Sequence, residues 1–149
     1  MCLNKMTYIS PKAIIEDHVY IGRNTTIHAG VHLKRGVVVE DNCIIGKPSR
    51  VQMNRFQEQV RSSSTRLEFE DYDAVIDTPT IIGENVLLHS GTTLFAGVTL
   101  AEGVITEDNV VVRWDTQVGA FTKLMLAGFV GSYITIGEYS RVGGLLGNR

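Results

Sequence analysis

Residues 76–147 read IDTPTI-IGENVL-LHSGTT-LFAGVT-LAEGVI-TEDNVV-VRWDTQ-VGAFTK-LMLAGF-VGSYIT-IGEYSR-VGGLLG when they are divided into groups of six. The first residue is aliphatic in eleven of these twelve groups, and the exception, Thr106, is β-branched. The fourth residue is often Gly, Asn or Asp, as at Gly91, Asn109 and Asp115, and these types adopt the left-handed backbone conformation at least cost. A short period kept over so many groups is typical of a solenoid of stacked repeats.

The period of six predicts short strands joined by tight corners. Side chains alternate faces along a strand, so each group puts one large aliphatic residue inward, and only a small or β-branched residue fits at the next inward place near the corner. Three groups close a triangular coil of about 18 residues, which gives a parallel β-helix. A β-sandwich is the alternative, but its turns are irregularly spaced and its strands are longer.

The repeats begin near the N-terminus and are interrupted once. Seven groups occupy residues 9–50 and twelve occupy 76–147, which predicts about six coils in a single all-β domain over residues 1–149. Residues 51–75 lack the period. We interpret them as an excursion loop from one corner of the coil, either functional or a tolerated, solvated insertion.

The composition limits the cellular location and the binding partners that we expect. The 149 residues carry a net charge of -2, with 44% hydrophobic and 20% charged residues, so neither nucleic acid nor a membrane surface is an expected partner. No stretch has the length of a transmembrane helix, and we expect no signal peptide. Two cysteines, Cys2 and Cys43, form no disulfide framework, and Cys43 is predicted as a small core residue. A cytoplasmic location is expected.

The whole chain resembles the left-handed β-helix acyltransferases, the hexapeptide transferase superfamily. Within it, the segment from Ile81 to Gly119 is similar to sugar-modifying acetyltransferases, which include enzymes that acetylate amino groups of nucleotide sugars. The resemblance implies a left-handed coil, a homotrimer with active sites between subunits, acetyl-CoA as co-substrate, and a sugar amine or hydroxyl as acceptor.

The sequence departs from these relatives at their catalytic base. In them, a group of the form Thr-Gly-His-Gly-Val carries a catalytic histidine. The matching group here begins at Thr106 and has Asp108 in the place of that histidine. Either another residue is the base, or the chain is a non-catalytic β-helix that binds a ligand or assembles.

His89 is the predicted replacement. It follows the inward Leu88, so it points outward, and a lone outward histidine is usually solvated. If the excursion preserves the coil phase, His28, Gly46, His89 and Glu107 stack at one corner, on rungs about 4.8 Å apart. Glu107 then orients the imidazole and raises its basicity. The predicted catalytic residues are therefore His89, Glu107 and Asp108, with His28 of a neighbouring subunit as the next candidate.

The remaining expectations concern ligands and assembly. Arg113, Lys123 and Arg141 are predicted to bind the CoA phosphates, or else are surface charges. No metal is expected, because zinc-binding relatives with this coil use three histidines in an arrangement that this sequence lacks. Several outward apolar residues favour the homotrimer, since a monomer would expose them. They are Phe95, Trp114, Met125 and Leu126.

Overall fold

The computed structural model describes residues 6–147, and in them nineteen short strands form three parallel sheets. The strands are numbered β1 to β19 in chain order. Every third strand belongs to the same sheet, so each sheet is one face of a triangular coil.

The first face contains β1 (Tyr8–Ile9), β4 (Thr26–Ile27), β7 (Ile44–Lys47), β10 (Thr93–Phe95), β13 (Val111–Val112), β16 (Phe129–Val130) and β19 (Leu145–Leu146). The second face contains β2 (Ile14–Ile15), β5 (Val31–Leu33), β8 (Thr80–Ile82), β11 (Thr99–Leu100), β14 (Gln117–Val118) and β17 (Thr135–Ile136). The third face contains β3 (Tyr20–Ile21), β6 (Val38–Val39), β9 (Leu87–Leu88), β12 (Ile105–Thr106), β15 (Lys123–Leu124) and β18 (Arg141–Val142). The predicted left-handed parallel β-helix is confirmed.

The first residue of each six-residue group forms the core, as the period predicts. On the second face Ile82, Leu100, Val118 and Ile136 stack in register, and Leu100 is completely buried. Thr106 occupies the equivalent buried place on the third face, where its hydroxyl lies 2.8 Å from that of Thr92. This hydrogen bond removes the cost of burying a polar group among aliphatic neighbours.

The interruption is longer than predicted and contains two helices. The regular coil ends with β7 at Lys47 and resumes with β8 at Thr80, so the predicted limits of 51 and 75 are wrong. Helix α1 (Arg50–Ser62) begins with a capping box in which Ser49 and Gln52 bond to each other's backbone N–H, and helix α2 (Phe69–Ala74) follows it. Ile76, predicted to open the second block, lies outside any strand.

The excursion leaves the order of the three faces unbroken, because β7 lies on the first face, β8 on the second and β9 on the third. Ile45 of β7 pairs with Leu94 of β10, whereas Leu88 of β9 pairs with Val39 of β6. His28, directly after β4, and Gly46, within β7, therefore belong to the first face, whereas His89 and Glu107 follow strands of the third. The predicted stack of these four residues is wrong, because the prediction counted residues 76–81 as one side of the coil, whereas the coil resumes with β8 and its first inward residue is Ile82.

Candidate active site

His89 lies at the corner between the third and first faces, directly after β9, and its side chain is about one-third exposed. Its Nδ1 is 2.9 Å from a carboxylate oxygen of Glu40, which follows β6 on the neighbouring rung. The same oxygen accepts a hydrogen bond from the backbone N–H of Ser90 at 3.0 Å. Glu40 is thus held by the backbone and in turn fixes the orientation of the imidazole ring.

Glu107, the predicted orienter of His89, has other partners. One of its carboxylate oxygens accepts a hydrogen bond from the backbone N–H of Leu126 at 2.8 Å, and the other is 3.3 Å from Nζ of Lys123. The Leu126 hydrogen bond first, and then Lys123 and Arg141, lower the pKa of Glu107. The structure therefore assigns the carboxylate beside His89 to Glu40, which the sequence analysis placed on another face because it counted residues 76–81 as one side of the coil.

Asp108 does lie close to His89. Its Oδ1 is 3.9 Å from Nδ1 of His89, and its side chain is about half exposed. The candidate ligand atoms of Glu40, His89 and Asp108 all lie within 4.8 Å of one another, so these three residues could coordinate a metal ion that the sequence did not predict. Two carboxylates next to one imidazole also stabilise that ring when it is protonated.

The three cations predicted to bind CoA are not brought together. Lys123 and Arg141 are neighbours on the third face, where β15 and β18 pair. Arg113 follows β13 on the first face, where its guanidinium stacks on the Trp114 ring at 4.0 Å from the centroid. Only Lys123 and Arg141 lie near Glu107, and there they help to neutralise it.

A second paired histidine, His28, lies under the excursion. Its Nδ1 is 3.0 Å from Oδ1 of Asp73 in α2, and Oδ2 of Asp73 accepts a hydrogen bond from the Tyr8 hydroxyl at 3.0 Å. The Tyr72 ring lies against the imidazole. His28 and Asp73 are both buried. The excursion covers His28, which the sequence analysis placed on the outward side of the coil and kept as a candidate base of a neighbouring subunit.

His28 borders a groove of about 870 Å³ between the first face and α2. Its walls include Tyr8, Phe69 and Tyr72, and Lys47 lies at one side. Sequence reasoning missed this site because Asp73 follows no periodic pattern. The one available signal in the sequence was that an aromatic residue, Tyr72, stands next to Asp73 in a segment otherwise rich in charged residues.

Neither helix in residues 6–147 is long and apolar enough to span a lipid bilayer.

Two family sequence models match parts of the chain. The model described as bacterial transferase hexapeptide (six repeats) matches residues 18–52, and the model described as hexapeptide repeat of succinyl-transferase matches residues 79–113. A comparison with curated protein sequences finds no significant match.

Three solved structures similar to this chain come from bacteria. PerB from Caulobacter crescentus, in complex with CoA and GDP-perosamine, is 17% identical with a TM-score of 0.41, over 93% of this chain and 54% of PerB. The acetyltransferase domain of PglB from Neisseria gonorrhoeae, in complex with acetyl coenzyme A, is 16% identical with a TM-score of 0.43, over 95% of this chain and 55% of that one. LpxA from Acinetobacter baumannii is 16% identical with a TM-score of 0.48, over 95% of this chain and 65% of LpxA. This chain thus spans between 54% and 65% of the length of these structures.

Proposed function

The chain belongs to the hexapeptide-repeat superfamily of left-handed β-helix proteins, and we propose that it is an acyltransferase with an acyl-CoA donor. Its acceptor is the amine or hydroxyl of a sugar or nucleotide sugar, in keeping with the resemblance of residues 81–119 to sugar-modifying acetyltransferases. It works in the cytoplasm, as a homotrimer, with no nucleic acid or membrane partner.

The observation that carries the proposal is the pairing of His89 with Glu40. Because Nδ1 of His89 faces Glu40 at 2.9 Å, the hydrogen on that nitrogen points to the carboxylate and Nε2 is left as the acceptor nitrogen. No group of residues 6–147 hydrogen-bonds to Nε2. A fixed tautomer with an accessible Nε2 is what a general base requires.

The reaction follows from this arrangement. Nε2 of His89 takes the proton from the acceptor nitrogen or oxygen, whose lone pair attacks the carbonyl carbon of the thioester. The tetrahedral intermediate then breaks its C–S bond, and the CoA sulfur leaves with the proton that His89 held. Glu40 and Asp108 stabilise the imidazolium between these two steps. Backbone N–H groups facing outward at the corner bind the developing oxyanion.

The experiment that tests the function is a matrix of donors against acceptors. Acetyl-CoA and succinyl-CoA are each incubated with amino sugars, sugars and nucleotide sugars, and the release of free thiol is followed against samples without acceptor. Acceptor-dependent thiol release, with the acylated product found by mass spectrometry, supports the proposal. If no acceptor increases thiol release and CoA does not raise the melting temperature, the chain is instead a non-catalytic binding or assembly protein.

A further inference from the structure

A second groove lies where α1 leaves the first face, and we call it the basic groove. It encloses about 500 Å³, and its lining includes the cations Lys47, Arg50 and Arg113 and the aromatic residues Phe95 and Trp114. The other described residues of its lining are all neutral. Its volume is within the range of small-molecule sites.

The positive charges of the basic groove are not neutralised by the protein. None of Lys47, Arg50 and Arg113 forms a salt bridge with a carboxylate of residues 6–147. In contrast, Arg23, Arg55 and Lys123 each have a carboxylate within 3.3 Å. Several unpaired cations in one concave surface give a positive potential that attracts anions.

The coil register holds two of these cations beside aromatic rings. Lys47 pairs with Phe95, and Arg113 follows Val112, which pairs with Leu94, so Lys47, Phe95 and Arg113 lie on three successive rungs. Nζ of Lys47 is 5.6 Å from the Phe95 centroid, and the Arg113 guanidinium is 4.0 Å from that of Trp114. Stacking on rings restrains the cations and leaves their N–H groups free to donate.

We propose that the basic groove binds a nucleoside 5′-diphosphate moiety. Arginine and lysine donate charge-assisted hydrogen bonds to phosphate oxygens. Aromatic rings stack on nucleic-acid bases, and the half-buried Phe95 and Trp114, which contact each other edge to face, supply such rings here. The neutral lining adds no repulsion of an anion. Lys47 also borders the larger groove under α2, so the rest of a nucleotide-bearing molecule has room to extend from the phosphates.

Two molecules would carry this moiety, and the choice between them rests on the proposed function. The CoA of the donor contains an adenosine 5′-diphosphate unit, and a nucleotide-sugar acceptor contains a nucleoside 5′-diphosphate. The binding of the diphosphate itself depends on neither reaction.

The test uses Trp114, the single tryptophan of the chain. Its fluorescence is titrated with CoA, UDP and GDP, and dissociation constants for variants are measured by calorimetry, since Arg113→Ala also changes the surroundings of Trp114. Arg113→Ala and Arg50→Ala should each weaken binding by about tenfold or more, and Arg113→Lys by less. Arg35→Ala, which removes an exposed arginine at a distant corner, should leave the affinity unchanged, and added salt should weaken binding to the wild type.

The outcomes distinguish CoA from a nucleotide sugar as the ligand, and they distinguish failure of the groove assignment from failure of the proposed acyltransferase function. Binding of CoA alone assigns the groove to the donor, and binding of UDP or GDP without CoA assigns it to the acceptor. Nucleotide binding without any acyl transfer supports the groove and contradicts the proposed function. If none of the three ligands binds at millimolar concentration, or if Arg113→Ala and Arg50→Ala bind as tightly as Arg35→Ala, the assignment is wrong.

Discussion

Glu40 and Glu107 flank His89 at the same corner, on the rungs before and after it, and they differ only in their contacts. Glu40 faces Nδ1 of His89, whereas Glu107 is engaged by the Leu126 backbone and Lys123. The residue pattern predicted a carboxylate beside His89 but selected the wrong one. Which glutamate contacts His89 depends on side-chain conformation and on how the two blocks of repeats are aligned. The period of six determines neither.

The first prediction compares these two glutamates. Glu40→Gln should lower kcat for acyl transfer by about tenfold, with KM little changed, because the amide supports the imidazolium less well than the carboxylate. Glu107→Gln is the matched control and should keep kcat within about twofold. Steady-state kinetics with saturating donor measure both. Equal losses of kcat in the two variants would contradict the assignment of Glu40.

The second prediction concerns Cys43, which the sequence placed in the core and which is completely buried. Burial raises the pKa of its thiol from 9.0 to about 11. At pH 8 the thiolate is therefore scarce as well as inaccessible. In a Cys2→Ser variant, the remaining thiol should react with a chromogenic disulfide reagent at least about 100-fold more slowly in the native protein than in denaturant. Full reaction of native protein within minutes would contradict the burial of Cys43.

At the scale of elements, the excursion is attached to the coil by the Asp73 carboxylate and by two ring contacts, Phe69 with Tyr8 and Tyr72 with His28. Asp73 of α2 accepts from the Tyr8 hydroxyl and faces His28, and all three groups come from segments far apart in sequence. A six-residue helix with an acidic sequence gives no periodic signal. The sequence therefore predicted the existence of the excursion, while its helices and its attachment depend on tertiary contacts.

The third prediction tests this attachment. Asp73→Ala leaves the buried His28 and the half-buried Tyr8 hydroxyl without their partner, so it should lower the free energy of unfolding by about 2–3 kcal/mol. Glu70→Ala, in the exposed part of the same helix, should change it by less than about 0.5 kcal/mol. Denaturant unfolding gives both values, and limited proteolysis should cleave within 61–76 faster in Asp73→Ala alone. A stability equal to that of Glu70→Ala would show that α2 is held by other contacts.

At the scale of the whole molecule, the coil was predictable because its cause is local and repeated. Each group of six residues has its own inward residue and its own corner, so a wrong prediction for one group does not change the inward residues predicted for the others. The relation between the two blocks is not local, since it depends on the residue at which the excursion ends and the coil resumes. For this reason the face of every strand after Lys47 shifted relative to the prediction, while the inward residues from Ile82 onward did not.

The fourth prediction is the homotrimer. Large apolar side chains remain exposed on the single chain, among them Phe121, Leu126 and Tyr139, and Leu126 lies at the same corner as His89. We expect a species of about 49 kDa in sedimentation at micromolar concentration, three times the chain mass of 16.4 kDa. Leu126→Asp should shift the protein toward the monomer, because it places a charge in an apolar contact. A wild type that sediments at 16.4 kDa would contradict the trimer.

The transfer rate of the His89→Ala variant tests whether His89 is the general base of an acyltransferase. Removing a general base lowers the rate by about 10²–10⁴-fold, and this loss should occur with an unchanged melting temperature, because the side chain is outward and partly exposed. His18→Ala, which changes an exposed histidine at another corner, should transfer at the wild-type rate. If His89→Ala also transfers at the wild-type rate, His89 is not the base, and the buried pair of His28 and Asp73 becomes the next candidate.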